Sequence, residues 1–320
     1  ALPNVPSGLF KDLKAVSNFS SVFKYCYSLS DLPDGLFDGL SKITTIANAF
    51  DGCKSLESVP AGLFKGMPAN MTLGGVFKGC ESLTTVPGTL FASFTSTKSV
   101  GNVFENCYSL NSVPAELFQP MKGSVTNIDG LFKKCTSLKT VPANLFDGCT
   151  KITSVKSTFT GCSALEEIPA GFFDFAQEVT GFMNLFDGCS SLRTIGSGFV
   201  NNFKNGYTGT STFGPTAMFR DCESLTNIPL MFNEETMKRF DTAVNMFQNC
   251  KSLESFPEGF FTGFGQGIKS NKPIVISNFN MTFSGCTKLK TLPLAELFNS
   301  PGGLQASNFT STLANCPALT

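Results

Sequence analysis

Phe50-Asp51-Gly52-Cys53-Lys54-Ser55-Leu56-Glu57-Ser58-Val59-Pro60-Ala61-Gly62-Leu63-Phe64 is one copy of a pattern that runs the length of this 320-residue chain. Phe23, Cys26, Leu29, Leu32, Pro33, Leu36 and Phe37 hold the same places in the copy before it, and Phe77, Cys80, Leu83, Val86, Pro87, Leu90 and Phe91 in the copy after it. Cysteines of this register stand at 26, 53, 80, 107, 135, 162, 189, 222, 250, 286 and 316, most of them 27 or 28 residues apart. The leucine is present in every copy, and the leading phenylalanine gives way once, to Leu313. A period of this size marks stacked repeats and overrides the two-domain expectation that length alone would give.

Each copy divides into similar halves. Leu29 and Leu32 followed by Phe37 and Leu40 repeat the spacing of Ile43 and Ile46 followed by Phe50 and Cys53. Cysteine therefore shares a slot with leucine, and Cys149 stands where other copies carry Leu40 or Met67. A place open to Cys, Leu or Met asks for a compact apolar side chain, so free buried thiols are expected. Apolar residues spaced by three fit neither a sustained helix nor a long strand. The pattern predicts Leu-x-x-Val as a short strand, Pro-x-x-Leu-Phe as a helical turn opened by proline, Ile-x-x-Ile as a second extended segment, and Phe-x-x-Cys as a corner. One unit cannot bury its apolar edge alone. The expected fold is a leucine-rich-repeat-like right-handed solenoid over residues 1–320, a single domain of about eleven coils of about 27 residues, with like side chains in ladders. Both ends fall within a repeat, so further coils, a leader or a lipid-attachment site would lie outside the sequence.

Composition narrows the function. Twenty-four basic and 24 acidic residues balance, which supplies no footprint for nucleic acid or an anionic membrane. No apolar run reaches the roughly 18 residues of a spanning helix. Histidine is absent, so Ser-His and Cys-His nucleophile pairs and His-ligated zinc are excluded. No catalytic residue, cofactor or metal is expected, and the chain reads as non-catalytic. Phenylalanine occurs 34 times against 4 tyrosines and no tryptophan, which predicts rings in the core.

The recurring Phe-x-x-Cys-x-Ser-Leu-x-x-Val-Pro resembles the BspA-like, or Treponema-type, leucine-rich repeats, along essentially the whole chain. Asn48-Ala49-Phe50-Asp51-Gly52-Cys53 and Leu56-Glu57-Ser58-Val59-Pro60 keep that form, with a longer middle than the family's usual repeat. The resemblance implies an extracellular or cell-surface protein, often lipid-anchored, that binds host or microbial macromolecules.

Two surfaces are candidates for that role. Insertions break the period in the C-terminal half, and they carry Phe203, Lys204, Tyr207 and Phe213 in one and Phe264, Lys269, Asn271 and Lys272 in the other. These residues are expected to form a contact edge for a protein or glycan partner, with drift in a tolerant loop as the competing reading. The run Gly263-x-Gly265-x-Gly267 lacks the spacing of a dinucleotide loop and is expected to be a flexible loop. The second surface flanks the Leu-x-x-Val segment, where Ser30, Glu57, Thr84, Asn111, Lys139 and Glu166 head an exposed ladder of mixed charge. A monomeric recognition or adhesion protein is the expected function, with a structural spacer or stalk as the alternative.

Overall fold

The structure is a computed structural model that describes residues 4–176, 179, 181–197, 214–232, 234–238, 240–264, 268, 269, 272, 273, 278–293, 296, 297 and 308–320. The chain divides into two compact units, Ala1–Ile152 and Thr153–Thr320.

In the first unit the coil is built around the Phe-x-x-Cys corner, which consists of overlapping tight turns. The Ile46 carbonyl accepts from the Ala49 amide at 3.0 Å, and the Phe50 carbonyl accepts from the Cys53 amide at 3.1 Å. The third residue of each turn is left-handed, Asn48 at φ 54° and Gly52 at φ 77°. That is the sign of φ that type II turns require there, and Gly and Asn adopt it most readily. The same two places, five and one residues before the repeat cysteine, are left-handed in both units, from Ser21 and Tyr25 through Gly75 and Gly79 to Ser311 and Asn315. Where a larger side chain stands, as at Tyr25, Lys134 or Met281, the stack bears a backbone cost of about 1–2 kcal/mol.

This conformation turns every second peptide along the stacking direction. The amides of Asn48, Phe50 and Gly52 donate forward to the carbonyls of Gly74, Val76 and Lys78 at 2.9, 2.9 and 2.7 Å. The carbonyls on the other side of those peptides, on Ala47, Ala49 and Asp51, accept from Ser21, Phe23 and Tyr25 of the preceding coil. Three bonds per corner thus join each coil to the next, and buried backbone groups find partners without long strands. Parallel bridges join Asn18 to Thr45 and Thr45 to Thr72 on the second extended segment.

The proline-led segments close as single turns. The amides of Leu63, Leu90, Leu117 and Leu145 donate to the carbonyls of Pro60, Pro87, Pro114 and Pro142 at 3.1–3.2 Å. Proline fixes the first φ, and the apolar pair three and four residues after it is pulled into the core before a second helical turn can form. The regular helical piece in this unit is the 3-10 turn Gln119–Met121.

Side chains stack as the backbone does. Phe23, Phe50, Phe77, Phe104 and Phe132 form one column with neighbouring centroids 5.5–6.0 Å apart and planes within 7°. A second column runs through Phe10, Phe37, Phe64, Phe91, Phe118 and Phe146. All but Phe10 and Phe23 in these columns are essentially sealed from solvent.

The second unit is built in the same way around larger insertions. Phe159, Phe186, Phe219, Phe247 and Phe283 stack at 5.6–6.0 Å. The amides of Asn184, Phe186 and Gly188 still reach Thr216, Met218 and Arg220, although Cys189 and Cys222 are 33 residues apart. Its regular elements are short. Strands β1 (Glu167–Ile168) and β2 (Thr194–Ile195) pair in parallel on the Leu-x-x-Ile segment. Helix α1 spans Glu234–Met237, and β3 (Ile268–Lys269) pairs antiparallel with β4 (Lys272–Pro273).

Candidate binding surface

The cysteines do more than fill space. Each thiol of the Cys53, Cys80, Cys107 and Cys135 series donates to the carbonyl of the phenylalanine at the preceding corner, at 3.1–3.3 Å. Cys189, Cys222, Cys250 and Cys286 do the same in the second unit. The cysteines are free, and ten of the twelve are buried. Burial pushes the thiols of Cys53, Cys149 and Cys286 up to about 12. Cys80, Cys107, Cys189, Cys222 and Cys250 are raised for the same reason. A thiol held neutral away from solvent is neither a nucleophile nor a metal ligand at neutral pH. Among the described residues no group of three or more His, Cys, Asp or Glu is placed to hold a metal ion.

Polar chemistry lies on the outside of the corner, where neighbouring coils present alternating charge two residues before the cysteine. Lys24 pairs with Asp51 at 3.0 Å, and Glu105 takes Lys78 at 2.7 Å and Lys133 at 3.4 Å. In the second unit Arg220 grips Asp187 through both carboxylate oxygens. A single sign in this row would place like charges at the inter-coil spacing of about 4.8 Å. Glu105 is 8% exposed. Glu105→Lys, which sets three lysines in succession, is expected to cost about 2 kcal/mol after solvent screening of the lysines. A thermal melt should fall by about 4–8 °C, and by less in high salt.

One residue after the cysteine a second exposed row runs through Tyr27, Lys54, Glu81 and Tyr108. Its register is fixed because the amides of Ser55, Ser82 and Ser109 donate to the carbonyls of Tyr27, Lys54 and Glu81 at 3.0–3.1 Å. Lys54 pairs with Glu81 at 2.9 Å and lies 5.7 Å from the Tyr27 ring centroid. Tyr25 stacks on Tyr27 at 5.9 Å, with Lys24 4.9 Å from its centroid. The three tyrosines are 56%, 54% and 37% exposed in the order Tyr25, Tyr27, Tyr108. Gly52 makes room for the first, since a Cβ there would lie 2.6 Å from Tyr25 Cδ1. Tyrosine in this slot, in a chain whose other rings are nearly all phenylalanine, is the signal that sequence reading passed over.

The insert residues fare unevenly. Phe203, Lys204, Tyr207, Phe213 and Asn271 lie outside the described residues. Phe264 is a core residue: it is 3% exposed and packs on Phe240 at 5.9 Å and Phe279 at 5.6 Å, so it is no contact residue. It stands at the start of the insert, directly after the turn that buries Phe260 and Phe261, and the same burial claims it. Lys269 and Lys272 are register partners in the β3–β4 ladder, while Gly265 and Gly267 of the expected flexible loop lie outside the described residues. The ladder flanking the Leu-x-x-Val segment is exposed throughout, from Ser30 and Glu57 to Glu254 and Lys290. Glu254 and Lys290 pair at 2.6 Å. An apolar cavity of about 430 Å³ lies among Phe279, Phe283, Leu297, Phe309 and Leu313, without a converging polar set.

Stacked leucine-marked coils, joined by parallel backbone bonds and carrying exposed ladders, define a leucine-rich-repeat solenoid. The chain belongs to the family described as Mycoplasma protein of unknown function, DUF285, whose sequence profile matches residues 98–208 and 126–260. Among solved structures it is similar to a leucine-rich cell surface protein from Faecalibacterium prausnitzii, at 20% identity over 94% of this chain and 74% of that one, TM-score 0.37. A leucine-rich repeat protein from Bacteroides ovatus is 19% identical over 95% of this chain and 80% of its own, TM-score 0.28. A chain of the Drosophila Toll–Spatzle complex is 16% identical over 96% of this chain and 36% of its own, TM-score 0.42. Comparison with curated proteins finds none that matches. Among the described residues no helix is long and apolar enough to cross a membrane.

Proposed function

We propose that the chain is a non-catalytic recognition or adhesion protein, extracellular or held at a cell surface, that binds a protein or glycan through its solenoid surface. In this reading residues 1–320 form one monomeric solenoid of about eleven coils of about 27 residues, in a variant branch of the BspA-like repeats. The observation that carries it is the division of labour in the coil. Buried positions are given to phenylalanine columns and protonated thiols, while exposed positions form ladders of mixed charge, hydroxyl and aromatic groups fixed at the inter-coil spacing. A rigid scaffold that holds polar groups in rows, with no convergent set of acid, base and nucleophile in the described surface, suits binding better than chemistry.

The insert residues Phe203, Lys204, Tyr207, Phe213, Lys269, Asn271 and Lys272 form a second contact edge in this proposal. A screen of the purified chain against matrix proteins and glycans, repeated with both inserts shortened to the regular period, tests it. Trimming is expected to abolish or weaken at least one interaction by about tenfold or more. If every interaction survives trimming, the insert edge is wrong; if the intact chain binds nothing in the screen, the spacer alternative takes its place.

A further inference from the structure

The tyrosine-bearing corner of the first unit points to a particular class of ligand. Tyr25 and Tyr27 stand at one end of an exposed strip and Tyr108 at the other, three coils on, about 14 Å along the stacking direction. Between them the row just before the cysteine carries Gly52 and Gly79, and the Tyr25 ring lies against the Gly52 backbone. Ion pairs line the strip: Lys24 with Asp51 and Lys78 with Glu105 along one side, and Lys54 with Glu81 in the row between Tyr27 and Tyr108.

We infer that this strip is a binding platform for a neutral oligosaccharide, a deepening that rests on the recognition reading proposed above. Each lysine of the strip is matched by a carboxylate, so the surface exerts no net pull on a charged ligand. Paired ammonium and carboxylate groups retain donors and lone pairs that hydroxyls, which both donate and accept, satisfy together. The exposed tyrosine rings offer flat apolar surface with a polar tip, which suits the C–H face of a pyranose ring. A protein partner would call for a desolvated pocket to receive an anchor side chain, and the strip is lined by rings, glycine backbone and charged pairs.

Tyrosine emission reports the event directly, because the chain has no tryptophan and three of its four tyrosines lie here. The full chain is titrated with neutral oligosaccharides of glucose, mannose, galactose, xylose and N-acetylglucosamine, with sulfated and sialylated glycans alongside. At least one neutral series is expected to change the emission and to bind by calorimetry. The exposed double variant Tyr27→Ala with Tyr108→Ala should keep the parent melting curve and lose about tenfold or more in affinity. Tyr27→Phe with Tyr108→Phe, which keeps the rings, should stay within about threefold. Failure of every neutral series to bind, or binding by the anionic glycans alone, overturns the inference. Neutral binding untouched by the alanine pair moves the site elsewhere and leaves the recognition reading standing. A matrix protein that needs these tyrosines, with no glycan bound, replaces the sugar by a protein and again spares that reading.

Discussion

Above about pH 9 the protein is expected to unfold in a steep step, with thiolate absorbance rising in that same step. The unfolded chain ionises its thiols near 8.5. The folded chain holds Cys53, Cys149 and Cys286 protonated up to about 12, through loss of hydration on burial. These groups are therefore raised in the folded state. Their contribution is intact below the unfolded value and is lost as pH climbs through the interval from about 9 to about 12. Each thiol removes about 1.4 kcal/mol per pH unit there, so three remove about 4, against a total of about 5–15 kcal/mol for a domain. Cys80, Cys107, Cys189, Cys222 and Cys250 move in the same direction and steepen the fall. Circular dichroism and ultraviolet absorbance followed against pH should coincide. A gradual thiolate titration near pH 9 with the dichroism unchanged would show that the thiols are open to solvent.

Phe77→Ala is expected to cost about 3–5 kcal/mol, the range for emptying a sealed aromatic site. Phe77 is fully buried between Phe50 at 5.6 Å and Phe104 at 6.0 Å, with Phe64 at 6.0 Å from the second column. Its removal breaks two stacking contacts and leaves a void that hydrogen-bonded coils on both sides cannot close. Phe77→Leu should cost much less, about 1–2 kcal/mol, since an apolar side chain of similar reach still fills the column. Urea unfolding of the three proteins measures the order. An alanine variant within 1 kcal/mol of the parent would mean that the columns add little to cohesion.

The repeat was legible because Phe23, Cys26 and Leu29 and their counterparts recur at a period no single helix or strand uses. Burial of the phenylalanines and exposure of the Ser30-to-Lys290 ladder followed from that register. The corner was not legible in the same way. Reading Cys, Leu and Met as interchangeable identified an apolar slot, but it hid the S–H donor that ties Cys80 to the Phe50 carbonyl. Gly52, Gly79, Asn106 and Lys134 look unrelated until φ shows that one backbone conformation links them. Charge alternation at Lys24, Asp51, Lys78 and Glu105 was in plain view, yet its meaning depends on knowing that these residues are neighbours across coils. Phe264 misled because it belongs to an insert, while what decides its place is the aromatic cluster of Phe240, Phe261 and Phe279.

The peptides of the corner that lie along the stacking direction all face one way, carbonyl toward the earlier coil and amide toward the later. Each carries a dipole of about 3.5 D, and aligned dipoles add as they do in a helix. Within each unit the corner is thus an electrically polar column, partially negative toward its earlier coils and partially positive toward its later ones. Gaining or losing a coil lengthens or shortens that column without reversing it, so repeat number can vary while the electrical sense of the scaffold stays the same.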